Sequence, residues 1–239
     1  LKVLCFDLDG TLLPMDQETF IKAYVKQIAM EKQALLPAEA LVKHIFAATE
    51  TMVKNNDATL TNEEVFRNDF VRRAELSYET VGPVFDRFYR DSFPLLQRFT
   101  QPTPLARAIS EEALAQRYHL VVATNAVFPR TAIVERLKWA GVADLPFALV
   151  TSYETAHFCK PNPAYYVEIC RELGCDPADC VMIGNDAQED MVASEVGMRT
   201  FLVTDCAIDR GSPQYRIDAR GTLRELYEQL QQRRGLFSE

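Results

Sequence analysis

Residues 1–13, LKVLCFDLDGTLL, decide the fold. Val3, Leu4, Cys5 and Phe6 make a short apolar run that reads as a buried strand, and the run ends in two carboxylates, Asp7 and Asp9. Two apart in extended backbone, these acids share a side, and Gly10 lets the chain turn sharply after them. Like charges ~4 Å apart repel by roughly 4 kcal/mol at an effective dielectric of about 20. The pair therefore calls for an exit into bulk water or for a cation.

Later segments place this strand. HLVVAT (119–124), FALVT (147–151), CVMIG (180–184) and TFLVT (200–204) are apolar runs alternating with helical stretches at 105–117, 131–140, 163–173 and 190–196, the third stopped by Gly174. Strands apolar on both faces predict a parallel sheet covered by helices on each side, to which the first strand belongs. Between about Met15 and Phe99 the pattern is helical. Phe20, Ile21, Tyr24, Val25 and Ile28 share one helix face, and Pro37 opens a second helix carrying Leu41, Ile45 and Phe46. Thr61 with Glu64 forms a capping-box pattern ahead of Val65, Phe66 and Phe70, and Phe85, Phe88 and Tyr89 mark a further helix interrupted near Pro94. The expected fold class is α/β, with a helical module inserted between the first strand and the rest of the sheet.

Composition excludes several functions. A chain of 239 residues with 48% hydrophobic and 25% charged residues is ordinary globular material, enough for one large domain or two modest ones. Asp and Glu number 34 against 26 Lys and Arg, a net charge of −8 with no local basic patch, which argues against nucleic acid as a partner. No apolar run approaches the roughly 18–20 residues of a membrane span, and the N-terminal segment lacks a secretion pattern, so a cytoplasmic protein without a membrane partner is expected. The six cysteines read as reduced thiols. Cys170, Cys175 and Cys180 suggest zinc by number, but the spacing is longer than a CxxC pair and Cys180 heads a strand, which favours structural thiols.

Chemistry gathers at strand ends, where open parallel sheets bind ligands. Thr124 and Asn125 follow one strand, Asp186 follows another in GNDAQED, and Asp7 and Asp9 follow the first. Asp186 and Asp190, four apart, repel by a few tenths of a kcal/mol, partly offset by a helix N-terminus. A hard divalent cation such as Mg²⁺ would relieve all these charges together. Each group also has a plainer reading, as a solvated turn, helix-start acids or, for Lys160, a loop lysine. A calcium loop with Asp7, Asp9 and Glu18 at positions one, three and twelve fails, because Leu12 stands where glycine is needed and a strand precedes.

With FDLDGTL, VVATN, CKPNP and IGNDAQEDMVASEVGM in that order, the chain resembles the haloacid dehalogenase-like (HAD) superfamily of hydrolases. The resemblance implies a Rossmann-like core, residues 1–14 and 101–239, with an all-helical cap, residues 15–100, inserted after the first motif. It further implies a Mg²⁺-dependent phosphatase acting on a small phosphorylated metabolite. Asp7 would be the nucleophile forming an aspartyl-phosphate, and Asp9 the acid and base. Thr124 and Asn125 would hold the phosphoryl oxygens, and Lys160 would neutralise charge. Asp7, the Asp9 carbonyl and Asp186 would ligate Mg²⁺, with Asp190 reaching it more remotely.

Dehalogenases lack an acid at the position of Asp9, since halide needs no proton, so Asp9 favours phosphate chemistry. The alternatives are a phosphosugar mutase, a phosphonatase using a cap lysine (Lys22, Lys26, Lys32, Lys43 or Lys54), and a catalytically silent scaffold. His44, His119 and His157 are too scattered for a site, and Trp139 reads as packing. Phe85, Phe88, Tyr89 and Phe93, at helical spacing, read as cap core rather than as a pocket for an apolar or nucleoside leaving group. Which substrate the cap selects, and the oligomeric state, are not legible.

Overall fold

A computed structural model describes residues 2–31 and 36–238. Six strands form one parallel sheet: β1 (Val3–Phe6), β2 (His119–Val122), β3 (Phe147–Val150), β4 (Cys180–Gly184), β5 (Arg199–Val203) and β6 (Ala219–Gly221), in the order β3-β2-β1-β4-β5-β6. Chain order runs outward from β1 on one side and then returns to its other side, so β1 and β4 flank the point where the topology reverses. That crevice is where parallel sheets hold ligands. The α/β class and the inserted helical region are as the sequence predicts.

The inserted region holds α1 (Gln17–Ala29), α2 (Ala38–Val53), α3 (Asn62–Ala74) and α4 (Tyr78–Arg87). Asp16 caps α1 by accepting the Thr19 N–H at 2.7 Å, and both halves of the Thr61–Glu64 capping box form at α3. The helix carrying Phe88 is interrupted next to Pro94, as the sequence predicts. It loosens into a π turn over Phe88–Ser92 and tightens into a 3₁₀ turn over Phe93–Phe99, because proline cannot donate to the preceding turn. The chain then continues through α5 (Pro104–Ala115), α6 (Arg130–Trp139) and α7 (Pro163–Leu173), closing with α8 (Leu223–Gln231).

Four local expectations are corrected. β3 is an edge strand and only half-buried, so it is not covered on both faces. Residues 191–196 form a 3₁₀ turn rather than an α-helix, since the Asp190 side chain folds back on the preceding turn and Gly197 ends the segment at φ +96°. Ile21, expected on one helix face with Phe20 and Tyr24, is exposed while those two are buried. β6 adds a sixth strand at the edge of the sheet, beyond those anticipated.

One apolar cluster runs from the sheet into the insertion, joining Leu4 and Phe6 of β1 to Phe20, Tyr24, Phe88 and Phe93 and to Trp139 of α6. Phe93 is fully buried, stacks on Trp139 at 5.5 Å and meets Phe20 edge-on at 6.3 Å. Polar ties support this contact. Asn62, also fully buried, donates to the carbonyls of Ala126 and Phe158, both at 3.1 Å. Where the insertion begins and ends, the Gln101 N–H donates to the Pro14 carbonyl at 2.8 Å. Replacing Phe93 by alanine should remove about 3–5 kcal/mol of stability, measured by urea denaturation.

Candidate active site

A cavity of about 210 Å³ opens beyond the carboxyl ends of β1, β2 and β4, lined by Asp7, Asp9, Thr124, Asn125, Asp186 and Asp190, with Glu189 and Gln17 beside them. Two glycines make this crowding feasible. Gly10 has φ +87°, and a Cβ there would fall 2.4 Å from the Asn185 amide. A Cβ on Gly184 would fall 2.1 Å from Asp190 Oδ2, so only glycine lets that carboxylate fold beneath the end of β4. Asn185 locks the two turns together, its Oδ1 accepting from Thr11 Oγ1 at 3.1 Å and its Nδ2 donating to the Cys206 carbonyl at 2.8 Å.

The centre of the site is the Lys160 ammonium. Buried at 1% exposure, it donates to Asp7 Oδ1 at 2.8 Å and to Asp190 Oδ1 at 2.6 Å. Asp190 uses its other oxygen to accept the Asp186 N–H at 2.9 Å. Asn125 fixes the lysine from behind: its Oδ1 accepts the Lys160 N–H at 3.1 Å, and its Nδ2 donates to Glu189 Oε2 at 3.1 Å. The Asn125 side chain is thus spent on positioning and its carbonyl accepts the Val127 N–H at 2.8 Å, which leaves its backbone N–H as the group available to a ligand. The Thr124 carbonyl accepts from Tyr165 Oη at 2.7 Å and from Thr151 Oγ1 at 2.8 Å, holding the end of β2 rigid.

Asp9 differs from Asp7 in its partner. Its Oδ2 is bonded by Arg136 of α6, a side chain with no exposed surface that lies over the Phe128 ring at 4.6 Å. Asp9 Oδ1 is buried without a hydrogen-bond partner among the described residues, and its carbonyl accepts from Gln17 Nε2 at 3.0 Å. Asp186 Oδ1 caps the following turn through the N–H groups of Gln188 and Glu189, and both its oxygens meet Arg210 Nη1 at 2.8 Å.

Burial sets the protonation of these groups. It pushes Asp7 up to about 6 despite the opposing pull of Lys160, and it pushes Asp190 and Glu189 each up to about 7. Asp9 is likewise raised by burial, against Arg136 and Lys160. Burial works against the charge on Lys160 too, but Asp190 and Asp7 outweigh it and hold the ammonium well above its ordinary range.

All seven anticipated residues therefore meet at one rim. Arg136, Glu189, Arg210, Gln17 and Asn185 were not anticipated. Only Asn185 and Glu189 carried a signal, lying inside the GNDAQED segment.

The remaining candidates lie elsewhere. Lys22 and Lys54 pair with glutamates on exposed helix faces, Lys26 and Lys43 are exposed, none of the four lines the carboxylate cavity, and Lys32 lies outside the described residues. His157 pairs with Glu168, and His44 packs edge-on against Phe70 at 6.4 Å. The thiols of Cys170, Cys175 and Cys180 are free and do converge, with Sγ–Sγ distances to Cys180 of 3.9 and 3.5 Å, at the opposite end of β4 from the carboxylates. No helix among the described residues is long and apolar enough to cross a membrane.

Comparison with known proteins agrees with this geometry. The family pattern of haloacid dehalogenase-like hydrolases matches residues 1–196. A phosphoglycolate phosphatase of Neisseria meningitidis is 29% identical, the match covering 96% of this chain and 94% of that protein, and one from Nitrosospira multiformis is 26% identical over 95% and 93%. Among solved structures, a HAD phosphatase from Thermococcus onnurineus superposes with a TM-score of 0.59 at 22% identity, covering 96% of this chain and 98% of that one. An L-2-haloacid dehalogenase from Xanthobacter autotrophicus superposes with a TM-score of 0.57 at 15% identity, covering 96% and 98%. At such identities the solved structures speak for the fold alone, whereas the motif-bearing match over residues 1–196 speaks for the family. The chain belongs to the haloacid dehalogenase-like hydrolases.

Proposed function

We propose that this hydrolase is a Mg²⁺-dependent phosphatase of small phosphate monoesters that works through an aspartyl-phosphate on Asp7. The observation that carries the reading is Asp9, whose Oδ2 is held by Arg136 while Oδ1, in the same cavity as Asp7, is buried with no partner among the described residues. A buried polar atom without a partner needs an explanation. Departure of an alkoxide requires a proton at this place, whereas departure of a halide does not. The phosphoglycolate phosphatases among its relatives support the same class of substrate.

In this mechanism an Asp7 carboxylate oxygen attacks phosphorus, forming the acyl-phosphate bond as the bond from phosphorus to the alcohol oxygen breaks. Asp9 gives its proton to that departing oxygen. A water molecule then attacks phosphorus, Asp9 takes back a proton, and cleavage of the phosphorus–Asp7 oxygen bond frees phosphate and restores the carboxylate. Lys160, fixed between Asp7 and Asp190, supplies positive charge as negative charge spreads over the phosphoryl oxygens.

The donor set suits Mg²⁺, since Asp7, Asp186 and the Asp9 carbonyl are all hard oxygens at one cavity. When bound there, the ion would polarise the phosphoryl group and offset the crowded carboxylates. Arg210 competes with it for the Asp186 carboxylate. Its side chain is 51% exposed, so it has room to release Asp186.

The reading is tested with p-nitrophenyl phosphate and Mg²⁺. Turnover should fall by at least about 10³-fold in Asp7→Asn, and absence of turnover across a broad phosphoester panel would overturn it. Asp9→Asn should cost about 10²–10⁴-fold on an alkyl phosphate and much less on p-nitrophenyl phosphate, whose leaving group needs little protonation.

The pH dependence follows from Asp7. Its raised value of about 6 means that the reactive carboxylate is lost as pH falls through 6. A profile of kcat/KM should show an acid limb near that pH, moving lower as Mg²⁺ is increased, because the ion favours the carboxylate. Arg210→Ala should lower the Mg²⁺ concentration for half-maximal rate several-fold, measured by Mg²⁺ titration of initial rates. An unchanged midpoint would exclude Arg210 as the competitor.

A further inference from the structure

A second cavity, of about 450 Å³, adjoins the catalytic one and shares Ile21, Val127 and Phe128 with it. It lies between the helical insertion and the loops after β2 and β3. Its walls are rings: Tyr24 from α1, Phe66 and Phe70 from α3, Phe85 from α4, and Phe128 and Tyr153 from the loops. Phe66 and Phe70 stack at 5.8 Å, and Phe85 meets them edge-on at 6.2 and 5.3 Å. Such spacings are those at which aromatic faces and edges attract one another.

Three of the large apolar side chains that remain exposed, Ile21 at 38%, Phe46 at 51% and Tyr78 at 37%, line this same cavity. Clustered exposed apolar surface marks a binding place rather than idle surface. The four aromatics of the sequence reading divide accordingly. Phe88 and Phe93 are fully buried core, whereas Phe85 and Tyr89 line the cavity.

Size and charge both argue against a two-carbon acid as the leaving group. A volume of 450 Å³ lies in the ~300–1,000 Å³ range that encloses multi-ring ligands. The charged fringe is Glu63, Asp86 and Glu154 against Arg67 and Arg90, and both cations are engaged. Arg67 lies over the Tyr78 ring at 4.9 Å, and Arg90 bonds Asp91 at 2.8 Å. A carboxylate on the leaving alcohol would meet an acidic rim.

We propose, resting on the phosphatase reading above, that the substrate is a phosphomonoester whose alcohol carries a flat aromatic ring, with the phosphate at Asp7 and the ring past Ile21 and Phe128 in the aromatic cavity. The shared boundary of the two cavities supplies the continuity this requires. A bare aryl group and a nucleoside base present the same face, and the substrates tested separate them.

The experiment compares kcat/KM, with Mg²⁺, for 2-naphthylmethyl phosphate, nucleoside 5′-monophosphates, decyl phosphate and phosphoglycolate. The naphthylmethyl ester is chosen because its alcohol is not an activated leaving group. A ring-bearing ester should exceed phosphoglycolate by at least about tenfold, the order expected from burying one ring system, and decyl phosphate by about two- to tenfold, the order that ring contacts add beyond buried area. Thr49→Trp and Val71→Trp, which fill the cavity, should each cut the preference over phosphoglycolate at least fivefold, chiefly through KM, with folding checked by circular dichroism.

Decyl phosphate or phosphoglycolate matching the ring-bearing esters overturns the proposal, as does an unchanged preference in two folded variants. If no ester is turned over while 2-naphthylmethyl phosphate still binds by calorimetry and the tryptophan variants abolish that binding, the ring site stands and the phosphatase reading falls. Neither turnover nor binding overturns both.

Discussion

A single ammonium group buried between two carboxylates organises this protein. Lys160 Nζ, Asp7 and Asp190 form a triad with almost no exposed surface, and removing the lysine would strand two carboxylates in a low-dielectric place. The surrounding structure is arranged around that cost. Gly184 makes room for Asp190, Asn125 clamps the Lys160 backbone, and the Asp186 N–H satisfies the remaining Asp190 oxygen. One lysine does not neutralise Asp7, Asp190 and the neighbouring Glu189, which is why burial leaves all three with raised proton affinity. The site is therefore short of positive charge, the condition under which a divalent cation and a tightly held lysine are complementary.

The two first-motif acids are separated chemically by their neighbours. Asp7 faces a lysine and Asp9 faces an arginine, whose guanidinium keeps its charge throughout. Arg136 in turn rests on Phe128, the ring at the boundary between the two cavities. A change in what fills the aromatic cavity would thus touch a side chain one contact away from Asp9.

Much of the rim was legible because strand ends are legible. Asp7, Thr124, Asp186 and their neighbours follow apolar runs, and a parallel sheet brings such positions together whatever the intervening sequence. Arg136 was not legible, since within RTAIVERLKW it looks like one more surface charge, and only tertiary packing buries it. Arg210 and Gln17 likewise reach the site from loop and helix start, where spacing carries no information about direction. β6 is three residues long and contains Arg220 and Gly221, so no apolar run announces it. The Thr222–Glu225 capping box ahead of α8 was readable in principle, as the equivalent pattern at Thr61 and Glu64 shows. The cysteines teach the converse: residues five apart along the chain came together because a helix, a turn and a strand start fold back on one another.

The hydrogen bond from Gln101 to the Pro14 carbonyl joins the two ends of the segment inserted after β1. To the sheet, the whole insertion behaves as a loop whose ends already touch, and the entropy of closing such a loop grows only with the logarithm of its length. Material could therefore be added to the outer loops of this segment with little penalty to the sheet beneath, provided the core that Phe20 and Phe93 share with Trp139 is kept. Descendants of this scaffold can diversify what they recognise while inheriting an unaltered reactive centre.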